Sequence, residues 1–296
     1  MWNKQTINNT LMKKILYICL LGLCVCSCKH NLDTNKFDNI TSLAQITTGD
    51  IQTDSIVIMD SMRQYGIMSK VKVEAEFPVG GNFFLVNSIR EWMTEELGGT
   101  FTGTPDNGKA MLTHYAQQVL KDLNDLTEDC DWMDSTSREE MVFDTEIQLS
   151  KIFENDQFVT YQYHNIGYSG GAHGWNLAYG QTFRKSDGRR IDYSFFQNDK
   201  QFKLTQLVQQ NIIKQYFEGD SSAFNNGLTL DPYETFPLPV NPPYFTKDGV
   251  AFIYQQYEIA AYAIGMPSCD IPYSTIEPYL TQTGKQLIHM GNIATK

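Results

Sequence analysis

Polar and apolar residues alternate without a break from Val71 to Phe77. Val71, Val73, Ala75 and Phe77 point one way, and Lys72, Glu74 and Glu76 the other. A period of two predicts a strand with one buried and one wet face, ended by Pro78 and Gly80-Gly81. Ile51 to Ile58 reads as an earlier strand. The period then lengthens. Ile89, Trp92, Met93 and Leu97 predict a helix over Asn87–Leu97, stopped by Gly98-Gly99. Met111, Tyr115, Val119, Leu123 and Leu126 form the stripe of a second helix. After Ser137 the alternation returns. Strands are predicted over Met141–Phe153, Gln157–Gly167 and Trp175–Phe183, the first two joined by a turn at Glu154-Asn155-Asp156. Arg184 to Gly188 turns back into Arg189–Tyr193. A third helix follows over Gln201–Phe217, then a proline-bearing excursion from Asp231 to Pro243 and a strand over Val250–Tyr257. A short helix runs to Leu280, and the tail beyond Gln282 is expected to fray. Strands and helices are mixed without βαβ regularity, so the predicted class is α+β with largely antiparallel sheets in two packed subdomains. The parts are residues 51–140 and 141–283, with a tail at 284–296.

The N-terminus changes the picture. Lys13-Lys14, the short apolar run Ile15–Leu23, and Val25-Cys-Ser-Cys28 have the order of a secretory signal with a lipobox ending. The apolar run is too short to span a bilayer comfortably. Residues 1–27 are therefore expected to be a lipoprotein signal peptide, with Cys28 lipidated and residues 28–50 a flexible tether. The expected location is the cell envelope, outside the cytoplasm, with the lipid as membrane anchor.

Charge and cysteines narrow the partners. The 296 residues carry 34 acidic and 23 basic side chains, a net −11. Removing Lys4, Lys13 and Lys14 with the signal leaves 20 basic residues and a net −14. Such a surface repels nucleic acid. The signal also carries Cys19, Cys24 and Cys26, and Cys28 takes the lipid, leaving Cys130 and Cys269 to pair in an oxidising compartment or to stay as separate buried thiols. Metal-ligand spacing is missing: His164 and His173 are nine positions apart and there is no His-Glu-x-x-His. No cofactor motif is present.

The segment Tyr161-Gln-Tyr-His-Asn-Ile-Gly-Tyr-Ser-Gly-Gly-Ala-His-Gly174 concentrates the candidate chemistry: an aromatic strand running into a glycine-rich loop with a serine and a histidine. Gly167-Tyr-Ser-Gly-Gly171 nearly matches Gly-x-Ser-x-Gly, but no acid and second histidine complete a triad. Taken singly, these residues read as structural: glycines permitting positive φ, His173 tying the loop to a carbonyl, and Tyr161 and Tyr163 in the core. Taken together, Tyr163, Tyr168, Ser169, Gly170, Gly171, His173, Trp175 and Tyr257 read as a binding surface on which flat rings and open backbone groups meet a partner.

Tyr168-Ser-Gly-Gly-Ala-His-Gly174, Asp187-Gly188, Tyr254-Gln-Gln-Tyr-Glu-Ile-Ala-Ala-Tyr-Ala-Ile-Gly265 and Ile271-Pro-Tyr-Ser274 follow one another in an order that resembles the extracytoplasmic domain family shared by the anti-sigma factor RsiV and the cell-wall deacetylase PdaC. Ala260-Ala261 stands where that family usually has Ala-Pro. The resemblance covers residues 50–283 and implies a PdaC-type N-terminal α+β part followed by an RsiV-type domain. In RsiV this region binds lysozyme; in PdaC the chemistry belongs to a separate deacetylase domain. The function expected is a non-enzymatic, lipid-anchored binding module contacting cell-wall glycan or an extracytoplasmic protein such as a lysozyme. A glycan hydrolase or deacetylase, or a subunit of an envelope complex, is the alternative.

Overall fold

The structure is a computed structural model and describes residues 49–230 and 235–290. The expected signal peptide, Cys28 and nearly all of the expected tether lie outside these described residues. The described chain is α+β, with two sheets and helices on one face of the larger.

The larger sheet has the order β1 (Gln52–Gln64), β2 (Ile67–Gly80), β3 (Val142–Glu154), β4 (Phe158–Tyr168), β5 (Trp175–Arg184) and β6 (Arg190–Ile191). β1 and β2 are longer than the alternation suggests. They meet in a two-residue turn at Tyr65 (φ 49°) and Gly66 (φ 92°), where both residues take the positive φ of a type I′ hairpin. β1 is an edge strand exposed along most of its length, so its second half lacks the periodic signal. All ladders of this sheet are antiparallel except β2–β3, which is parallel from Met68↔Val142 to Ala75↔Leu149. The chain between these two strands holds α1 (Phe83–Glu96), α2 (Gly108–Leu126) and the short α3 (Ser135–Glu140). Such a crossover is what a parallel pair requires. The sheet thus runs continuously across residue 140.

α1 begins at Phe83 rather than Asn87 because Asn82 caps it. Its Oδ1 accepts from the amides of Phe84 (2.9 Å) and Leu85 (3.4 Å). α1 and α2 cover one face of the sheet. Val71, Val73, Ala75, Phe77, Ile147, Leu149, Val159 and Tyr161 meet Leu85, Ile89, Trp92, Met111 and Tyr115 in one core.

The smaller sheet is β7 (Tyr244–Phe245), β8 (Gly249–Ile253) and β9 (Ser268–Pro272). With α4 (Gln201–Gln215), α5 (Ser221–Gly227), α6 (Tyr273–Ile276) and α7 (Gln282–Met290) it encloses a second core. β8 stops at Ile253, and the chain to Tyr257 forms a loop instead of the expected strand. The tail does not fray after Gln282. α7 buries Leu287 and Ile288 at 4% and 5% exposure in the second core. From Thr235 to Pro243 the proline-bearing segment is pinned by tyrosines: the Tyr254 and Tyr193 hydroxyls donate to the carbonyls of Pro237 (2.8 Å) and Pro239 (2.7 Å).

The second core docks on the face of the large sheet that the helices leave bare. Thr160 Oγ1 donates to the Phe245 carbonyl (2.6 Å), and the Phe245 amide donates to Thr182 Oγ1 (2.7 Å). Tyr244 lies flat on Gly180, where a Cβ would stand 2.4 Å from the ring. These contacts involve only one end of β4 and β5. Phe153 at the end of β3 also packs against this core, and across β1, β2 and the rest of β3 the same face stays open.

Candidate binding rim and open sheet face

The glycine-rich loop closes where the β4–β5 ladder ends, at Gly167↔Trp175. Gly167 is there because nothing larger fits. A Cβ would sit 2.3 Å from the Asp144 carbonyl oxygen and 2.4 Å from the Trp175 ring. Trp175 donates from Nε1 to Asn165 Oδ1 (2.8 Å), which fastens the indole over this glycine. Gly170 and Gly171 take φ of 95° and 82°, and the Tyr168 hydroxyl closes the loop on the Gly171 carbonyl (3.0 Å).

His173 is exposed at the tip of this turn. Its Nδ1 lies 2.9 Å from the carbonyl oxygen of Gly174, which can only accept, so Nδ1 carries the proton. Nε2 is then the acceptor for the Tyr257 hydroxyl at 2.9 Å. The imidazole also stacks on Tyr262, with centroids 3.7 Å apart and planes at 16°. Tyr257 and Tyr262 are 5.9 Å apart. Three rings from two loops therefore form one rim. Tyr257 is 61% exposed and holds φ 67°, a left-handed backbone that an aromatic residue rarely adopts. Both ring nitrogens of His173 are thus engaged away from Ser169, which lies half-buried in the turn.

The loop bearing Tyr257 is attached by glutamines. β5 pairs with β6 only at Thr182 and Phe183, so the edge from Trp175 to Gln181 lacks a neighbouring strand. Gln255 fills that place. Its Nε2 donates to the Ala178 carbonyl (2.9 Å), and its Oε1 accepts from the Ala178 amide (3.1 Å). One side-chain amide stands in for a peptide of a seventh strand. Gln256 Oε1 accepts from the Asn176 amide (3.1 Å). The Glu258 carboxylate takes the amides of Gln255 and Val240, each at 2.7 Å, and stiffens the loop.

The structure brings together Tyr168, Gly170, Gly171, His173 and Tyr257 and separates two of their expected companions, Tyr163 and Trp175. Tyr163 is a core residue, 5% exposed, tilted against Tyr179 at 5.2 Å with its hydroxyl accepting from Asn165. It faces the helices because its parity on β4 is that of Val159 and Tyr161. Trp175 is half-buried, its indole held over Gly167 and packed toward the Ile67–Leu123–Phe143 cluster. Tyr179 turns inward to Glu96, to which its hydroxyl donates. Burial raises the Glu96 carboxyl above its ordinary range, against the pull of Tyr179 and Trp92. Cys130 and Cys269 are both free. Cys130 packs beside Ile67, Leu123 and Phe143 in a third small cluster, whereas Cys269 lies in the second core, where burial pushes its thiol up to about 12. The disulfide left open by the sequence is not made. Tyr262, Gln255 and Gln256 were missed as site residues. The tyrosine spacing around Ala260-Ala261 was the available signal for the first, and nothing in sequence marks the glutamines.

Next to the rim lies the open face. Register places Met59, Lys72, Glu146, Ile166 and Asn176 in one row across β1 to β5, and Ser61, Lys70, Asp144 and Tyr168 in the next across β1 to β4. These rows line a trough of ≈ 770 Å³. Lys72 Nζ bridges Glu146 (2.6 Å) and Glu74 (3.0 Å). The trough ends beside Asn176, whose side-chain Oδ1 meets His164 Nε2 at 2.8 Å and whose amide is held by Gln256. Among the described residues no group of three His, Cys, Asp or Glu side chains is placed to hold a metal, and no helix is long and apolar enough to cross a membrane.

Fold and site together define an α+β protein with an edge-clamped aromatic rim beside an open sheet face. Residues 193–274 match the family model of DUF3298, a protein family of unknown function. The matched stretch contains Gln255, Tyr257 and Tyr262 but not the glycine-rich loop. The fold is similar to that of a DUF3298 family member from Bacteroides fragilis, with 20% identity, 82% of this chain and 98% of that chain covered, and a TM-score of 0.66. It is also similar to a DUF3298 family protein from Pseudomonas aeruginosa, with 14% identity, coverage of 80% and 98%, and a TM-score of 0.53. No curated protein matches the sequence.

Proposed function

We propose that this protein is a non-enzymatic binding module of the cell envelope, lipid-anchored through Cys28, that takes cell-wall glycan on the His173–Tyr257–Tyr262 rim. The observation that carries this reading is Tyr257: an exposed tyrosine held at φ 67° by hydrogen bonds on its neighbours, with its hydroxyl fixed by His173. Strained exposed backbone persists where the surroundings enforce it, commonly at functional sites. A fixed flat ring is what a sugar face packs against, at little entropic cost. The engagement of both His173 nitrogens away from Ser169 supports binding over hydrolysis.

Calorimetry of the mature protein against peptidoglycan fragments tests this. Tyr257→Ala is expected to weaken binding about 3- to 10-fold, the worth of one aromatic contact. Absence of heat with every glycan at high micromolar concentration refutes it. A second reading, a cationic wall-lytic protein such as a lysozyme as partner, is favoured by the net −14 of the mature chain and by the resemblance to the RsiV region. Opposite charge speeds encounter and makes it salt-dependent. In that case a basic lysozyme binds, its association rate falls with salt, and Tyr257→Ala changes little.

A further inference from the structure

We infer that the open trough beside the rim holds the peptide carried by the wall glycan: a short, extended, zwitterionic stem peptide lying across β1 to β4. This rests on the glycan reading above and assigns the second half of the same ligand. Three features of the trough point to this occupant. The first is unspent charge. Lys70 and Asp144 are register partners on adjacent strands and both exposed, yet neither has an ion-pair partner among the described residues. Beside them Lys72 is already bridged by Glu74 and Glu146. A free cation and a free carboxylate about 4.8 Å apart at the backbone suit a ligand with an amine and a carboxylate. A polyanion would be repelled by Asp144 and Glu146, and a polycation by the two lysines. The face is near neutral on a strongly acidic protein, with two cations and three carboxylates in its lining.

The second feature is length. Crossing from β1 to β4 spans three strand spacings, about 15 Å, which an extended chain covers in about four to five residues. The third is chemistry at the ends. Met59 and Ile166, 74% and 42% exposed, offer apolar contact for small side chains on either side of the charged centre. An apolar helix would desolvate the lysines and carboxylates without pairing them. Ile166 opposes Asn176, whose amide is bound by the rim loop, so a ligand can run from rim to trough without a break.

The experiment is calorimetry of the full-length chain in detergent, at fixed ionic strength, with three probes: a disaccharide-tetrapeptide muropeptide, a peptide-free N-acetylglucosamine tetramer and the free tetrapeptide. The muropeptide is expected to bind at least tenfold more tightly than the peptide-free sugar. Lys70→Gln and Asp144→Asn each remove most of that preference and leave the sugar's affinity unchanged, while Lys70→Arg keeps it. Both positions are exposed, so unchanged melting temperatures confirm the fold. Equal affinity for muropeptide and sugar, or a preference that survives both substitutions, overturns the trough assignment and leaves the rim reading standing. Binding of the free tetrapeptide that is lost in both variants, with a silent sugar, supports the trough and removes the rim as a glycan site. Silence of all three probes overturns both.

Discussion

Replacing Gln255 with alanine should release the rim loop from β5 while leaving both cores intact. The perturbation removes two hydrogen bonds, from Nε2 to the Ala178 carbonyl and from the Ala178 amide to Oε1. Each contributes about 0.5–1.5 kcal/mol net, and Ala178 is half-buried, so water replaces part of the loss; the expected cost is about 1–3 kcal/mol. The cost is local first. Opening of this edge should raise the exchange rate of the Ala178 amide about 5- to 150-fold, with amides of the β3–β4 ladder unaffected. Gln255→Glu distinguishes the mechanism. It keeps an acceptor for the Ala178 amide but sets a carboxylate against the Ala178 carbonyl, so it should be at least as damaging as alanine despite its closer shape. Hydrogen exchange read by mass spectrometry at peptide level, with urea denaturation alongside, decides the matter. If the Ala178 amide stays as protected in Gln255→Ala as in the parent, the side-chain amide is not acting as the missing strand.

Three further outcomes follow from the same geometry. Lys185 and Glu154 form a buried pair at 2.9 Å, with side chains 6% and 8% exposed, and Glu154 also accepts from the Ile51 amide. Lys185→Met removes one of two lysine partners of Glu154, Lys151 staying at 2.8 Å, and should cost about 1.5–3 kcal/mol in urea denaturation, the worth of a charged hydrogen bond; a loss no greater than the roughly 1 kcal/mol of an exposed pair would contradict it. Because burial raises the Glu96 carboxyl, the folded protein keeps that proton to higher pH than the unfolded chain, and this residue's contribution to stability falls as pH rises through the carboxylate range. Glu96→Gln should flatten that dependence between pH 4 and 7.5; a variant that loses more stability at pH 7.5 than at pH 4 sinks the assignment. Iodoacetamide at pH 8 should label Cys130 in the native protein and spare Cys269, whose thiol burial pushes up to about 12; native labelling of Cys269, mapped by mass spectrometry, would show that the second core opens readily.

What the chain determines by itself is local. Strict alternation placed β2 and gave its buried face, because a strand wetted on one side must show its period. The helical stripes placed α1, α2 and α4 to within a few residues, and the glycine-rich run located the β4–β5 turn. The expected signal and lipobox likewise rest on a linear pattern, read without any fold. Where the partner is distant in sequence, the pattern goes silent. The parallel β2–β3 pair, the second half of β1 and the ordered α7 depend on neighbours that only packing supplies. Tyr163 and Tyr168 look alike in the sequence, yet a difference of parity on β4 puts one in the core and the other on the open face. His173 could be read as an internal tie or a surface group until Tyr257, 84 positions away, was seen to take its Nε2. The sequence determined which rings and charges exist; tertiary structure alone decided which of them share a surface, because the glutamines of the loop bearing Tyr257 are anchored on a strand edge 77 and 80 positions away.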